Sequence, residues 1–340
     1  MNDSLNDLLT ILIPIDLRYR KKDILEKAKK FAFEANKHNI KLIFGVSADD
    51  TSKKIFFTEV MRNYANVEIL FSQKISINVN TSLLRNLAFT NCKTKYIALF
   101  DVDIFPDMAL IIKYLQLISS KKKPFYIIPC LYLTSFGSLA LMEGKITINE
   151  LKEKYFAYSR KEFLHLASPS SLTIMSAKDY AAIHGFDTCF EGHGYEDFDF
   201  LIRLCEYHGL LNDTYDLLVE NTSRSPLFYV GYRKHLGKLC FDSLLEKDIA
   251  FHIFHQKNDI NDYHLMREKN RLLFQKKHRG FYKKDNISAR DNDYSLIDFI
   301  EHCKKNNYDL RNYSILFEDK PGHIDRYDTF RKKIKFLFNE

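Results

Sequence analysis

The first hundred residues alternate short apolar runs with segments whose apolar positions recur at helical spacing. Leu8–Ile15 is almost continuously apolar and reads as a buried strand, with Thr10 as its interruption. Asp23 can cap a helix reaching about Asn36, with Ile24, Ala28, Phe31, Ala32 and Ala35 on one face. Ile40–Val46 and Val67–Phe71 read as the second and third strands. Thr81 or Ser82 can cap a helix carrying Leu83, Leu84, Leu87 and Ala88, and Tyr96–Phe100 is a fourth strand. Strands alternating with helices in this way predict an α/β fold, a mainly parallel sheet flanked by helices.

Past that point the order is less regular. Asp107–Ser119 is expected as a helix, Phe125–Leu133 as one strand, Asn149–His165 as a helix and Leu172–Ser176 as a short strand. Gly185-Phe186-Asp187 makes a turn and Gly192-His193-Gly194 a loop. Glu196 then opens a helix running through Phe200, Leu201 and Leu204 to about Tyr207. Phe251–Phe254 is expected as a strand and Tyr263–Lys277 as a helix. The charged, aromatic C-terminal stretch is expected to pack as helices on the main domain.

Composition narrows the class. The 340 residues are 46% hydrophobic and 28% charged, which suits one large or two intimately packed domains and excludes a small disulfide scaffold, a disordered regulator or a fibre. Cys92, Cys130, Cys189, Cys205, Cys240 and Cys303 form no CxxC pair and are expected as reduced thiols. No run approaches the roughly 18 apolar residues of a membrane span. Met1 to Asp7 lacks the basic start and apolar stretch of a secretory signal, so a cytoplasmic location is expected. Asn80-Thr81-Ser82 and Asn212-Asp213-Thr214 would then carry no glycan. The net charge of +7 is spread along the chain, with concentrations at Lys121-Lys122-Lys123 and Arg331–Lys335. A solvated face is the plainer reading of these clusters; an acidic membrane surface or an anionic substrate is the other. With no aromatic platform or nucleic-acid module beside the charge, no nucleic acid is expected as a partner.

Three clusters carry candidate chemistry. Asp101-Val102-Asp103 directly follows the apolar strand Tyr96–Phe100, at the carboxyl end where open parallel sheets bind ligands. Two carboxylates there suit a hard divalent ion that also grips phosphate oxygens, although a solvated turn would look the same. In Phe190-Glu191-Gly192-His193-Gly194-Tyr195-Glu196-Asp197-Phe198-Asp199 the glycines allow close backbone approach to a ligand. Glu196 and Asp197 fall at a helix N-terminus, as acidic first-turn residues or as an acid–base site. In Phe251-His252-Ile253-Phe254-His255-Gln256, residues three apart on a strand point to opposite faces. One imidazole, not both, is therefore expected on any single metal. No HExxH, zinc-type Cys/His set, Walker loop, GxGxxG or GxSxG is present.

At these residues the chain resembles the GT-A glycosyltransferases, especially the inverting family 2 and galactosyltransferase-like branch that includes bacterial capsule polymerases. The resemblance runs from about Leu8 to Lys277. Thr10 to Arg20 is similar to the family's first strand and nucleotide-contacting loop, and Ser47-Ala48-Asp49-Asp50-Thr51 to its acidic segment after the second strand. Leu84-Arg85-Asn86-Leu87-Ala88 resembles the helix motif before the DxD strand, and Asp101-Val102-Asp103 the DxD itself. Gly185-Phe186-Asp187 with Gly192 to Asp199 resembles the GFD…GxGxED segment. The branch usually has a tryptophan before that motif; this chain has none, and His193 or Tyr195 stands in its place. His255-Gln256-Lys257 is similar to the metal-binding histidine segment, with His252 as the alternative three residues earlier.

The resemblance implies an enzyme: a metal-dependent inverting glycosyltransferase moving a hexose or N-acetylhexosamine from a UDP-sugar to a hydroxyl of a glycan or lipid-linked glycan, in capsule or other surface-polysaccharide synthesis. It implies Mn2+ or Mg2+ held by Asp101, Asp103 and His255, with His252 as the fallback ligand. Donor contacts are implied for Pro14, Asp16, Arg18, Asp49, Asp50, Arg85, Asp101, Val102 and Asp103. Gly194, Tyr195 and Glu196 are implied on the acceptor side, Asp197 as the base and Glu196 as the residue orienting the acceptor. The implied layout is a transferase domain over 1–256, with a nucleotide-sugar half over 1–103 and an acceptor half over 104–256, and a helical extension over 257–340. Peripheral contact with the inner membrane face, through Arg331–Lys335 with Phe336, Leu337 and Phe338, or with capsule-assembly proteins would fit such a role. Two other readings stay open: a non-catalytic nucleotide-sugar-binding subunit, and a metal-dependent nucleotidyl or phosphoryl transferase using the two aspartates.

Overall fold

The computed structural model describes residues 5–18, 22–74, 76–211, 214–220, 223, 225–255, 261–281 and 295–318. Tyr19-Arg20, Asn212-Asp213, Gln256-Lys257 and the basic and apolar stretch from Arg331 to Phe338 lie outside the described residues. From the N-terminus the elements run α1 (Leu5–Leu8), β1 (Leu9–Asp16), α2 (Lys22–Lys37), β2 (Lys41–Ser47), α3 (Thr51–Met61), β3 (Val67–Phe71), α4 (Thr81–Phe89), β4 (Tyr96–Leu99), α5 (Met108–Ser119) and β5 (Phe125–Ile127). There follow β6 (Cys130–Leu133), α6 (Ser135–Met142), α7 (Ile148–Phe156), β7 (Phe163–Ala167), β8 (Thr173–Ser176), α8 (Ala177–Ala182) and α9 (Glu196–Tyr207). The last are α10 (Gly231–Lys238), α11 (Phe241–Leu245), β9 (Ala250–His252), α12 (Asn261–Lys277) and α13 (Leu296–Lys305). Among the described residues no helix is long and apolar enough to cross a membrane.

The chain divides into two compact units, each assembled from three stretches. Unit 1 comprises Met1–Ile127, Ser171–Leu218 and Gln256–Lys283; unit 2 comprises Ile128–Ser170, Val219–His255 and Lys284–Glu340.

Unit 1 holds a six-stranded sheet in the order β3-β2-β1-β4-β8-β5. β1 to β4 run parallel, and β8 lies antiparallel between β4 and β5, so the sheet is mixed but mainly parallel. β1 is buried along all but its last residue, which is why it reads as a continuous apolar run rather than an alternation. α2 packs its apolar stripe inward, with Phe31 edge-on to Phe100 at a centroid distance of 5.6 Å. α4 lies closely on the sheet at Gly45 of β2: a Cβ there would sit 1.9 Å from the Leu84 carbonyl oxygen. That missing side chain lets the next residue of α4, Arg85, reach beneath the strand ends. The cap of α4 is Asn80, not Thr81 or Ser82; its Oδ1 accepts from Leu83 N at 2.8 Å.

Unit 2 holds a three-stranded sheet in the order β7-β6-β9, with β6 antiparallel to β7 and parallel to β9. Two expectations are corrected around it. Phe125–Leu133 is not one strand: Pro129 has no N–H for a ladder, and β5 and β6 on its two sides belong to different sheets. Asn149–His165 is not one helix either. α7 ends at Phe156, Tyr158 takes a positive φ of 65°, and Phe163–Ala167 pairs as β7 instead. β9 also stops at His252, two residues short of the strand expected.

Candidate active site

The first cluster forms where β4 ends. The chain leaves the sheet at Leu99 and closes a turn in which Ile104 N donates to the Asp101 carbonyl at 3.0 Å. Val102 is buried, and the Asp103 carboxylate is nearly so. Asp101 accepts from Arg85 Nη2 at 2.5 Å and from Ser171 Oγ at 2.8 Å. Asp103 accepts from Lys27 Nζ at 2.5 Å. Lys27 lies on α2 between Ile24 and Phe31, on the same face as both, and is 7% exposed.

The second cluster comes from the segment before α9, which asparagines fasten down. Asn86 Oδ1 accepts from Phe186 N at 2.9 Å and from the Tyr180 hydroxyl at 2.7 Å, and its amide donates to the Phe186 carbonyl. Asn80 Nδ2 donates to the Thr188 carbonyl at 2.9 Å, and Gly192 N to the Val79 carbonyl at 2.7 Å. From α12, Asn270 Nδ2 donates to the Glu191 carbonyl at 2.8 Å, while Arg267 Nη1 lies 3.2 Å from His193 Nε2. Gly194 has φ 93°, and a Cβ there would lie 2.7 Å from Arg267 Nη1. Tyr195, the residue before α9, also has a positive φ of 74°. It is held there by burial, by Phe274 at 5.3 Å and by the Arg267 guanidinium 5.3 Å over its ring.

Arg85 joins the two clusters. Its guanidinium is 2% exposed; Nη1 donates to Asp197 Oδ1 at 3.1 Å while Nη2 holds Asp101. Phe186 stacks against it at 4.7 Å. One cation therefore serves Asp101 and Asp197, with Glu196 close enough to feel its charge. Burial raises the Glu196 carboxyl well above the usual carboxylate range; the Asp197 charge adds to the effect and Arg85 opposes it. Burial raises Asp197 as well, against the pull of Arg85. The pair thus keeps a proton to higher pH than ordinary carboxylates do. Glu196 Oε2 is buried with no hydrogen-bond partner among the described residues. Asp199, one helical turn into α9, behaves oppositely: burial pushes it up, but His278, Arg203 and Lys277 outweigh this and hold it at about 2.

The other expected donor residues lie in and after β1 and β2 of unit 1. Pro14 is buried within β1, opposite Gly45. Asp16 ends β1 and pairs with Arg18, whose guanidinium also donates to the Ser76 and Asn78 carbonyls at 2.5 and 3.3 Å. Asp49 pairs with Lys53, which holds its carboxyl below the usual range. Asp50 caps α3 through Ser52 and Lys53 and is held low chiefly by the Ser52 hydroxyl.

In unit 2, His252 and His255 are brought together, correcting the expectation that they face apart. Because β9 ends at His252 the strand alternation does not extend to His255; the ring centroids are 5.5 Å apart and ligand nitrogens of the two lie within 4.8 Å of each other. Tyr132 stacks on His252 at 4.0 Å and on His165 at 4.3 Å, fixing the ring plane of His252.

Several of these residues were not singled out from sequence. Lys27 carried a usable signal, since it interrupts an apolar helical face; Ser171, Arg267 and Asn270 carried none.

The variant Drosophila beta1,4-galactosyltransferase 7 solved with manganese, UDP-Gal and xylobiose is 12% identical, with 59% of this chain and 63% of that one covered and a TM-score of 0.32. The chain thus spans less than two thirds of that structure. S. aureus TarS 1-349 with UDP is 10% identical, covering 97% of this chain and 78% of that one, with a TM-score of 0.37. The 4-diphosphocytidyl-2C-methyl-D-erythritol synthase of Anaerococcus prevotii is 11% identical over 60% and 85% of the two chains, with a TM-score of 0.33. No curated protein sequence matches. Residues 10–279, from β1 to the turn after α12, match glycosyltransferase-like family 2, and this stretch carries Asp101-Val102-Asp103, Glu196-Asp197 and both histidines. The chain belongs to that family.

Proposed function

We propose that the protein moves a hexose or N-acetylhexosamine from a UDP-sugar to a hydroxyl of a glycan acceptor, inverting the anomeric centre. The observation that carries this reading is the Arg85 link, one buried guanidinium between Asp101 at the end of β4 and Asp197 at the start of α9. In this reading the donor and acceptor sides of the reaction share that cation.

Asp197 takes the proton from the acceptor hydroxyl. The hydroxyl oxygen bonds to the anomeric carbon from the face opposite the nucleotide as the bond to the UDP oxygen breaks. A carboxylate raised by desolvation is a stronger base than a solvated one and remains ionised at the pH where it works. Glu196, with its unpartnered buried oxygen, orients the acceptor through a hydrogen bond. Gly194 and Tyr195, both at positive φ, shape the acceptor side.

Asp103, with Asp101, His255 and His252, is the proposed ligand set for Mn2+ or Mg2+. Carboxylate oxygens with imidazole nitrogens suit such an ion, and Asp103 already accepts a cation, the ammonium of Lys27. When bound, the ion supplies Lewis-acid neutralisation of the charge left on the departing diphosphate. We assign the product to capsule or another surface polysaccharide, with an acceptor that hangs from a lipid.

Calorimetry of UDP, GDP, CDP and dTDP, each with and without Mn2+, on the wild type and Asp103→Ala tests the donor half. UDP binding that needs both metal and Asp103 is the expected result. Absence of metal-dependent binding to every nucleotide would overturn the reading.

A further inference from the structure

Lys27 is a lysine placed where α2 should present an apolar residue. It shares the buried face with Ile24, Ala28, Phe31 and Ala32, is 7% exposed, and directs its ammonium at Asp103 Oδ1 at 2.5 Å. Asp23, one turn earlier on α2, lies 3.5 Å from the same ammonium. Burying a charge of this kind costs stability unless it is paired, and a well-packed apolar residue would serve the fold at least as well. The shorter pairing is with the second aspartate of Asp101-Val102-Asp103, whose carboxylate is the more buried of the two.

We propose that Lys27 is a donor-site residue: a built-in counter-ion that occupies Asp103 before the donor arrives and turns to the diphosphate of the nucleotide once a divalent cation takes the carboxylate. The proposal rests on the donor reading given above. Two cations compete for one carboxylate, so Lys27 opposes binding of metal alone. A diphosphate brings negative charge to the same place, so Lys27 favours binding of the nucleotide. The lysine thereby makes the empty site a poor trap for a free divalent cation and a good one for a metal–nucleotide pair. No bond is made or broken; the ammonium exchanges one anionic oxygen for another.

The opposite signs make the test sharp. The wild-type chain, Lys27→Met and Lys27→Arg are titrated with Mn2+ alone, followed by the paramagnetic signal of free Mn2+, and separately with UDP at saturating Mn2+, followed by calorimetry. Lys27→Met is expected to bind Mn2+ alone about tenfold more tightly and UDP in the presence of Mn2+ about tenfold more weakly, each the change given by about 1.4 kcal/mol. Lys27→Arg, which keeps the charge, is expected to stay close to wild type in both. A structural lysine would move neither affinity, and one that only organises Asp103 would weaken both on removal; either result overturns the proposal while leaving the donor reading intact. Wild type that binds no UDP even with Mn2+ present would overturn the donor reading, and this proposal with it.

Discussion

Arg85 and Asp197 are tied by a hydrogen bond from Nη1 to Oδ1 at 3.1 Å, and the arginine is the more deeply buried partner, 2% exposed against 29% for the aspartate side chain. The same guanidinium holds Asp101. The Asp197 carboxylate is thus stabilised in its charged form by a cation that solvent barely reaches, while burial pushes the other way. Replacing Arg85 by Gln removes the opposing cation, so the Asp197 pKa rises further and the acid limb of the rate profile moves to higher pH, by about one unit or more. Arg85→Lys keeps a charge but loses the fork that spans two carboxylates. Its acid limb should stay near the wild-type position while turnover falls. Coincident pH profiles for Arg85→Gln and the wild type would show that the guanidinium does not set the protonation of Asp197.

Glu196 gives a stability prediction of the less usual sign. Burial, then the Asp197 charge, raises its folded-state pKa above the ordinary carboxylate value. Its contribution is therefore fully present below the unfolded pKa and is lost as pH rises through the raised value. Glu196→Gln, which stays neutral, should melt higher than wild type above neutral pH, by roughly 1–2 kcal/mol once partial exposure is allowed for. The difference should close near pH 4, where the wild-type carboxyl is largely protonated in the unfolded protein as well as in the folded one. A melting-temperature series on both proteins checks it, and a destabilised Glu196→Gln at high pH would contradict it.

How much of this was legible in the sequence depends on the kind of signal each part carries. β1 and β4 could be read because strands of a parallel sheet are buried on both faces and appear as unbroken apolar runs. α9 could be read because acidic residues gather at its first turn. The break between β5 and β6 was marked by Pro129, but the apolar residues on both sides hid it. The end of α7 was hidden for a different reason: Phe163–Ala167 becomes a strand only by pairing with β6, a contact that local pattern does not encode. Asp101, Asp103, Glu196 and Asp197 were found as motifs. Their bridging through Arg85, and the burial of Lys27 against Asp103, depend on how closely α4 and α2 lie on the sheet, which Gly45 permits for α4 and sequence spacing does not announce.

Asp199 should behave as a conventional buried anion. It is fully buried in α9, with His278 Nε2 at 3.0 Å, Lys277 Nζ at 2.8 Å and Arg203 Nε at 2.9 Å. These hold its carboxyl at about 2 against the push of burial. The stability it gives is present above the unfolded value near 4 and is lost as pH falls through about 2. Asp199→Asn leaves three donors facing a neutral amide and should cost about 3 kcal/mol at pH 7, a loss that shrinks toward pH 2. Because Lys277 and His278 close α12, the same variant should also speed amide exchange at Gly192 and Gly194, which α12 covers through Asn270 and Arg267. Unfolding by denaturant and hydrogen exchange measure the two effects separately.

The division of labour between the two acidic motifs can be tested by comparing where each variant fails. Asp197→Asn keeps an oxygen that accepts from Arg85 Nη1, so the geometry around the guanidinium survives while the basic oxygen is gone. Removing a general base typically costs ~100-fold to ~10,000-fold in turnover. UDP binding in the presence of Mn2+ should stay within about twofold of wild type, a change of about 0.4 kcal/mol. Asp103→Ala acts one step earlier: it removes a carboxylate that holds Lys27 and is proposed to hold the ion, so metal-dependent UDP binding should weaken by about tenfold or more, equal to about 1.4 kcal/mol. Measured together, nucleotide affinity and single-turnover rate place each variant on one axis or the other. Near-normal transfer by Asp197→Asn would remove it as the base, and Glu196, the other raised carboxyl at the same helix start, would then be the residue to replace.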